Sequence, residues 1–420
     1  MRHVIAFLLL LPASALSLAQ GPHALTLAEV DALVVSQGRA VQLARHAEEG
    51  ADADRVAAAV TPPPQLSFNA LSIDPHNLGP KGVWNRYIDS TLRVDKTIEL
   101  GGKPELRVAG AEAGLKAARA DVADAERAQR LAAAGAYWDL KLAQRQLEIS
   151  EDAARLADEY ARVARRREAA GDLPRMEAEK LQVEARKARN EVSVARLTLE
   201  RGKGGLATLL GMEEDAAGLT AADAWPPLRE PDVSAVSVED RADVQAAMAR
   251  VEQARQLFAL AKAQRTADVT VGVEFEHHPP DGSRLWGVGI SMPIGVAARQ
   301  EGPIRKAAVA LADAELMLAQ VRAQAGLERA TAVAAVKDAS ERVQRHEAEL
   351  IPQARSVLAS TEFARSRGAL GMQDLLDARR TLHAAELDAE QAHAEFAKAL
   401  AALAATRRTS VADDISTLSR

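Results

Sequence analysis

Apolar and polar residues alternate with a period of two in four short stretches, a pattern typical of β-strands with one apolar face. The stretches form two pairs, residues 66–70 with 88–95 and residues 269–276 with 286–292, and turn-forming residues join each pair. One face of each stretch is apolar, whereas the other carries charged residues or glycine. The pattern predicts two β-hairpins, placed either on a soluble core or in a membrane, where a tilted strand needs about 9–11 residues.

Very long helices are predicted for most of the remaining chain. No proline follows Pro104 until position 174, so a helix about 100 Å long can form there, and a second helix is predicted from about 175 to 210. Residues 303–367 and the segment after Gly368 give a similar pair, with Pro352 predicted to kink or unwind the first of them. Apolar residues recur every seven positions, which predicts coiled-coil packing. In the first helix this row comprises Leu142, Ile149, Leu156, Val163 and Ala170.

The order helix, two strands, long helix, glycine break, helix occurs twice along the chain. At the breaks, Gly171-x-x-Pro174 aligns with Gly368-x-x-Gly371. We therefore predict one structural unit repeated twice. The predicted segments are a signal peptide at 1–19, a first repeat at 20–210, an inter-repeat equatorial segment at 211–238, a second repeat at 239–405 and a polar tail at 406–420.

The amino terminus has the features of an export signal. Met1-Arg2-His3 is a short basic start, residues 4–11 are apolar, and small residues at 17–19 precede a plausible cleavage site. The apolar run is far shorter than the roughly 20 residues that a membrane-spanning helix needs. A buried helix start is the alternative interpretation. Because no cysteine follows the run, a lipoprotein anchor is excluded.

Four strands cannot close a barrel around a lumen, and lipid does not tolerate open sheet edges. Membrane insertion therefore requires strands from other copies, and three copies of four strands make a 12-stranded barrel. The predicted fold is mainly α with β: a trimeric assembly in which long antiparallel coiled-coil helices form a periplasmic tunnel below a shared outer-membrane β-barrel. The polar strand faces would then line the lumen, with candidate lumen residues Asp89, Arg93, Asp95, Glu274 and Glu276.

Composition narrows the function classes. The absence of cysteine excludes disulfides, thiolate metal sites and a cysteine nucleophile, and the net charge of −6 gives no reason to expect nucleic acid. No nucleophile–base pair or phosphate-binding loop stands out, so we expect neither an enzyme nor a cofactor. His277, His278 and Asp281 suggest a metal site at first, but neighbouring strand residues point to opposite faces. We favour a surface loop there and predict a conduit with no tight metal site.

Two motifs resemble those of a known family. Residues 368–378 (GALGMQDLLDA) resemble the second helical-hairpin tip of the TolC-like outer-membrane efflux family, and the whole-chain order of elements fits that family. The stretch directly after the second strand resembles the IELGGK signature of its CzcC-type heavy-metal branch. It consists of Ile98, Glu99, Leu100, Gly101, Gly102 and Lys103.

This resemblance implies a homotrimeric outer-membrane channel in a Gram-negative cell, with a large periplasmic part. Its implied partners are outer-membrane lipid, a periplasmic adaptor (membrane fusion) protein and an inner-membrane pump of the resistance-nodulation-division type. Divalent heavy-metal cations are the expected cargo. The alternatives are the same channel serving drug or protein export or, in a different class, a periplasmic coiled-coil adaptor that never enters a membrane.

The second break carries the candidate channel aperture. Asp374 and Asp377 lie three residues apart, hence on one helix face, and the resemblance implies acidic rings at this constriction. Three copies of each would favour cations; alternatively, the two are helix N-terminal carboxylates that interact with the macrodipole. The tips are the expected adaptor contacts, at Gly171, Leu173, Pro174, Gly368 and Gly371.

Overall fold

The computed structural model describes residues 23–71, 88–228, 237–278 and 283–406. The predicted signal peptide, most of the predicted tail and Asp281 lie outside these residues. Helices and strands of the first half follow the predicted order, and the 67-residue helix α3 is the longest element. The elements are β1 (His23–Leu25), α1 (Leu27–Gln37), α2 (Arg39–Ala58), β2 (Gln65–Leu71), β3 (Asp89–Ile98), α3 (Lys103–Ala169), α4 (Arg175–Leu210) and β4 (Leu219–Ala221).

The second half repeats the order of the first. A helix precedes two strands, and a long interrupted helix leads to the second glycine break and the last helix. These elements are α5 (Ala242–Ala263), β5 (Val269–His278), β6 (Ser283–Ser291), α6 (Val296–Arg299), α7 (Glu301–Arg345), α8 (Ile351–Ser366) and α9 (Met372–Ala405).

One four-stranded antiparallel sheet joins the two halves. Its strand order is β2-β3-β5-β6, so the two predicted hairpins lie side by side. The central pair fixes the register, since Arg93 lies opposite Glu274 and Leu92 lies opposite Phe275. The alternation seen in the sequence therefore places most apolar positions on one face and most charged positions on the other.

A π-helical turn at His346–Leu350 separates α7 from α8. Proline lacks the N–H that an α-helix needs and clashes with the preceding turn, and Pro352 lies two residues after the end of this π-helical turn. The wider turn accommodates that clash without ending the helix. The predicted local unwinding at Pro352 is therefore confirmed.

Within one chain, the predicted heptad row in α3 is not buried as a continuous seam. Leu142 is buried, but Leu156 and Val163 remain 39% and 42% exposed in the single chain. On a straight helix a residue seven positions further on has rotated by about 20°, so the row leaves the interface within a few turns. Small residues replace it in the contact with neighbouring helices, and several are spaced by eleven: Ala143 with Ala154, and Ser150 with Ala161.

The main core lies beside the middle of α3, about halfway between the sheet and the first glycine break. Tyr137 and Trp138 are completely buried there with residues of α1, α4 and α9. The parallel pair β1–β4 closes this core. The Tyr137 hydroxyl donates to Asp223 Oδ2 at 2.8 Å, and the same carboxylate oxygen accepts from the Leu27 amide at 2.7 Å. Burial raises the pKa of Tyr137, so its hydroxyl stays protonated as the donor.

Candidate channel surfaces

The apolar face of the sheet is uncovered in the single chain. Trp286, Val288 and Ile290 are between 74% and 76% exposed, and Leu66 and Phe68 at the opposite edge are similarly open. The ring of Trp286 contacts that of Phe275, with their centroids 5.1 Å apart. A continuous apolar face of this extent is far larger than isolated surface leucines and indicates a membrane or protein interface.

The polar face collects the five candidate lumen residues. Arg93 Nε donates to both carboxylate oxygens of Asp95, at 2.8 and 2.9 Å, and its Nη1 donates to Glu274 at 3.2 Å. Asp89 lies 2.8 Å from His278 Nδ1. Glu276 lies opposite Thr91 in the register. The strands thus place all five residues on one wall, with Arg93 in contact with two of the carboxylates.

The IELGGK stretch forms the junction between β3 and α3. Lys103 is only 2% exposed, and its Nζ donates to Asp268 Oδ1 at 2.6 Å and to the Thr266 carbonyl at 2.8 Å. Asp268 also accepts the Leu100 amide at 3.0 Å. Gly101 has φ +78°, and a Cβ there would lie 3.2 Å from Thr266 Cβ. Sequence reasoning missed Thr266 and Asp268, because both lie more than 160 residues after Lys103 in the chain.

A second ion pair supports the same junction. Arg107 donates from Nη1 and Nη2 to the two carboxylate oxygens of Glu99, at 2.7 and 3.1 Å. Its Nε donates to the Ala58 carbonyl at the end of α2, at 2.8 Å. The hydrogen bonds from Arg107 hold the pKa of Glu99 below its usual range. The motif therefore ties the strand end, the start of α3 and the end of α2 together.

The two predicted tips come together. Gly171 and Gly368 both adopt left-handed backbone conformations at the breaks. Leu173 packs with Met372 and Leu376 from the start of α9 against a small buried cluster of Ala164, Ala178 and Leu181. Pro174 and Gly371 are the N-cap residues of α4 and α9. The helix starts after both breaks therefore form one apolar end of the helical body.

The two aperture candidates have different surroundings in the single chain. Asp374 accepts the Gly371 amide at 2.9 Å and so caps the start of α9. Asp377 is mostly exposed and lies 3.2 Å from Arg380 Nη1. Arg380 Nη2 in turn contacts Glu184 of α4 at 2.5 Å. Burial opposes ionisation of Glu184, but hydrogen bonds from Arg380 and Lys187 outweigh it and keep its pKa low.

A ring stack that sequence reasoning missed links the halves near the middle of the body. Trp225, in the segment after β4, stacks on Trp138 and on His393. Its Nε1 donates to Glu390 at 2.7 Å, and Arg145 lies 2.9 Å from the same carboxylate. The only sequence feature that could have indicated this stack is a tryptophan within an otherwise irregular, proline-rich segment.

Within the part of the chain that the structure describes, no three His, Asp or Glu side chains group closely enough to hold a metal ion. None of the described helices combines the length and apolar character that crossing a membrane requires.

Comparisons with known proteins agree with this architecture. Residues 33–212 match the family model described as outer membrane efflux protein. The cobalt-zinc-cadmium resistance protein CzcC of Cupriavidus metallidurans is 24% identical over 303 residues, which cover 71% of this chain and 72% of the relative.

Solved structures show the same fold at low sequence identity. The Campylobacter jejuni CmeC outer membrane channel superposes with a TM-score of 0.80 at 17% identity, covering 94% of this chain and 89% of that one. CusC, whose structures describe transmembrane channel formation, gives 0.76 at 15% identity, with 92% of each chain covered. Since efflux channels are conduits, the expectation that this chain is not an enzyme agrees with these matches. Residues 33–212 therefore resemble outer membrane efflux proteins in sequence, and the described chain shares its fold with solved outer-membrane channels.

Proposed function

We propose that the chain is the outer-membrane channel subunit of a tripartite, resistance-nodulation-division type efflux system. It acts as a homotrimer in which each chain gives four strands to a shared 12-stranded barrel and its helices to a periplasmic tunnel. The observation that carries this proposal is the four-stranded sheet, which has an uncovered apolar face and, in the described chain, no further strand on either edge.

The sheet is suited to closure by identical copies. Strand directions alternate from β2 through β3 and β5 to β6, so β6 of one copy and β2 of the next run antiparallel. An even number of strands per chain therefore preserves one all-antiparallel ladder around the ring. Closure also removes unpaired backbone groups, each of which costs several kcal/mol in lipid.

The helices support a tunnel on one side of the barrel. At 67 residues, α3 is about 100 Å long. Apolar side chains remain exposed along the tip-proximal halves of the long helices, including Leu156, Val163 and Val357. Neighbouring copies that pack side by side would cover these residues.

Assembly is tested on protein purified in detergent. We expect a mass about three times that of the chain, an oligomer band that dissociates only on heating, and ion-conducting pores in planar bilayers. Fractionation should recover the protein with the outer membrane. A monomeric, water-soluble rod without pores would contradict the proposal and would favour the adaptor alternative.

Divalent heavy-metal cations are the proposed cargo. The resistance named for the CzcC relative supports this assignment, and the acidic excess on the polar sheet face is compatible with cation passage. A deletion strain should lose growth on one or more of zinc, cobalt, cadmium and nickel, with unchanged growth on antibiotics. The reverse profile would assign drugs as the cargo.

The paired tips are the proposed adaptor contact. Leu173 lies at the tip, half-buried against α9, so a photo-crosslinker there would sample both breaks at once. We expect it to capture the periplasmic adaptor in cells. Capture from positions near the sheet, and not from Leu173, would contradict this placement.

Asp374 and Asp377 are the proposed aperture residues. Asp374→Asn keeps an oxygen that can cap Gly371 but removes the charge, whereas Asp374→Ala removes both. If rings of three carboxylates set the aperture, Asp374→Asn with Asp377→Asn should lower cation preference by about twofold in bilayer recordings. Asp172→Asn at the first tip is the matched control. An effect of Asp374→Ala alone, absent from Asp374→Asn, would assign a capping role only.

A further inference from the structure

Arg93 holds a special position on the polar face of the sheet. Among the described strand residues of that face it is the one Lys or Arg, and it shares the face with the carboxylates of Asp89, Asp95, Glu274 and Glu276. We infer that Arg93 is a specificity-determining residue of the channel, limiting the cation preference of the lumen by neutralising two wall carboxylates. This inference rests on the proposed function.

Arg93 pairs with carboxylates on two strands. Arg93 binds Asp95 on its own strand and Glu274 on the neighbouring strand, with three donor–acceptor distances between 2.8 and 3.2 Å. Charge-assisted hydrogen bonds to two carboxylates hold the guanidinium more firmly than a single surface ion pair would. The positive charge is therefore placed between the two carboxylates and fixed against the wall.

Glycines lie on the sheet surface directly beneath these charged side chains. A Cβ at Gly289 would lie 3.0 Å from Arg93 Nη2, and one at Gly272 would lie 2.8 Å from the same atom. A Cβ at Gly287 would lie 2.6 Å from Glu274 Oε1. Three glycines thus give the space in which the cluster lies flat across the sheet. Any larger residue would push these charges away from the wall and into the lumen.

Arg93 also changes the net charge of the polar sheet face. Counting Asp, Glu, Lys and Arg only, four carboxylates and one guanidinium leave the described wall of each chain with a formal net charge of −3. Removing Arg93 changes this to −4 and frees Asp95 and Glu274 at one level of the wall. In three copies the change becomes a ring, and rings of charged side chains govern the ion preference of pores.

The test compares pores of the full chain in planar bilayers at about 0.1 M salt, where screening is moderate. Arg93→Gln should raise the potassium-to-chloride permeability ratio by at least about twofold relative to the unmodified protein. Arg284→Gln is the matched control, because Arg284 lies on the same sheet but on the opposite, apolar face. We expect that variant to keep the original ratio.

A charge-matched variant separates electrostatics from misfolding. Arg93→Gln combined with Glu274→Gln restores a net wall charge of −3, so its permeability ratio should return to that of the unmodified protein. Equal ratios for the single variant, its control and the unmodified protein would overturn the inference while leaving the channel intact. A ratio that stays raised in the double variant would also overturn it. If the unmodified protein formed no pores, both the proposed function and this inference would fail.

Discussion

The two strand-to-helix junctions of the repeats differ sharply. After β3, Lys103 is buried against Asp268, and Glu99 pairs with Arg107. After β6, Ile294 is 88% exposed. A methyl group added at Gly295 would have no non-neighbouring group of the described chain within 4 Å. No ion pair in the described chain involves residues 292–306. The duplicated halves thus share an order of elements but not the way in which a strand is fixed to its helix.

This difference between the two junctions indicates the structural role of the IELGGK stretch, residues 98–103. Asp268 belongs to the loop between α5 and β5, so Lys103 ties the start of the first long helix to the second repeat. The stretch is therefore an architectural joint between the halves. One such joint is enough to position the sheet, which explains how the second junction can remain open.

Replacing Lys103 with Met is expected to have the largest effect. The buried ammonium would be lost, and Asp268 and the Thr266 carbonyl would lose their donor, at a cost of about 3 kcal/mol. Unfolding of the protein in detergent, followed by circular dichroism, measures the change. Lys116→Met on an exposed site of the same helix is the control. Equal stability of the two variants would show that the first junction is no firmer than the second.

Alanine at Gly101 and at Gly295 gives a sharper comparison. Both glycines have left-handed φ, which costs an alanine about 1 kcal/mol. At Gly101 the new Cβ also meets Thr266, so the total should be about 2 kcal/mol there and about 1 kcal/mol at Gly295. The same unfolding measurement applies. A cost at Gly295 equal to that at Gly101 would contradict the difference in packing.

The smallest expected effect concerns Glu99 and pH. Its pKa is lowered in the folded chain by Arg107, so its contribution is present above its unfolded pKa of about 4.3 and is lost as pH falls through the lowered value. Glu99→Gln should be less stable than the unmodified protein by about 1 kcal/mol at neutral pH. The gap should close at low pH. A gap independent of pH, or one also seen for the exposed Glu105→Gln, would contradict the pairing.

Local patterns predicted the elements well. Period-two alternation depends on neighbouring residues only, and it located all four strands of the large sheet. The glycine breaks at 171 and 368 and the unwinding before Pro352 also follow from backbone constraints of single residues. These constraints are visible in the sequence without any knowledge of tertiary contacts.

Contacts between distant segments were not predictable in the same way. Lys103 donates to the Thr266 carbonyl and to the Asp268 carboxylate. Neither acceptor has a distinctive sequence pattern, and their role depends on how the two halves meet. In α3 the burial within one chain does not follow the whole heptad row, because Leu156 and Val163 lie on a side of the helix that a single chain leaves uncovered. For Asp374 the capping contact with Gly371 depends on where α9 begins, which a pattern fixes only approximately.

The alternating strand directions described above determine how a mutation that damages a strand edge would act in a cell that also makes the intact subunit. In the proposed trimer every subunit offers one edge to each neighbour, so a single faulty copy interrupts the whole ring. If half of the subunits in a cell carried a damaged β2 or β6 edge and assembled at random, only about one ring in eight would contain three sound members. A damaged allele would therefore suppress its healthy counterpart rather than be masked by it.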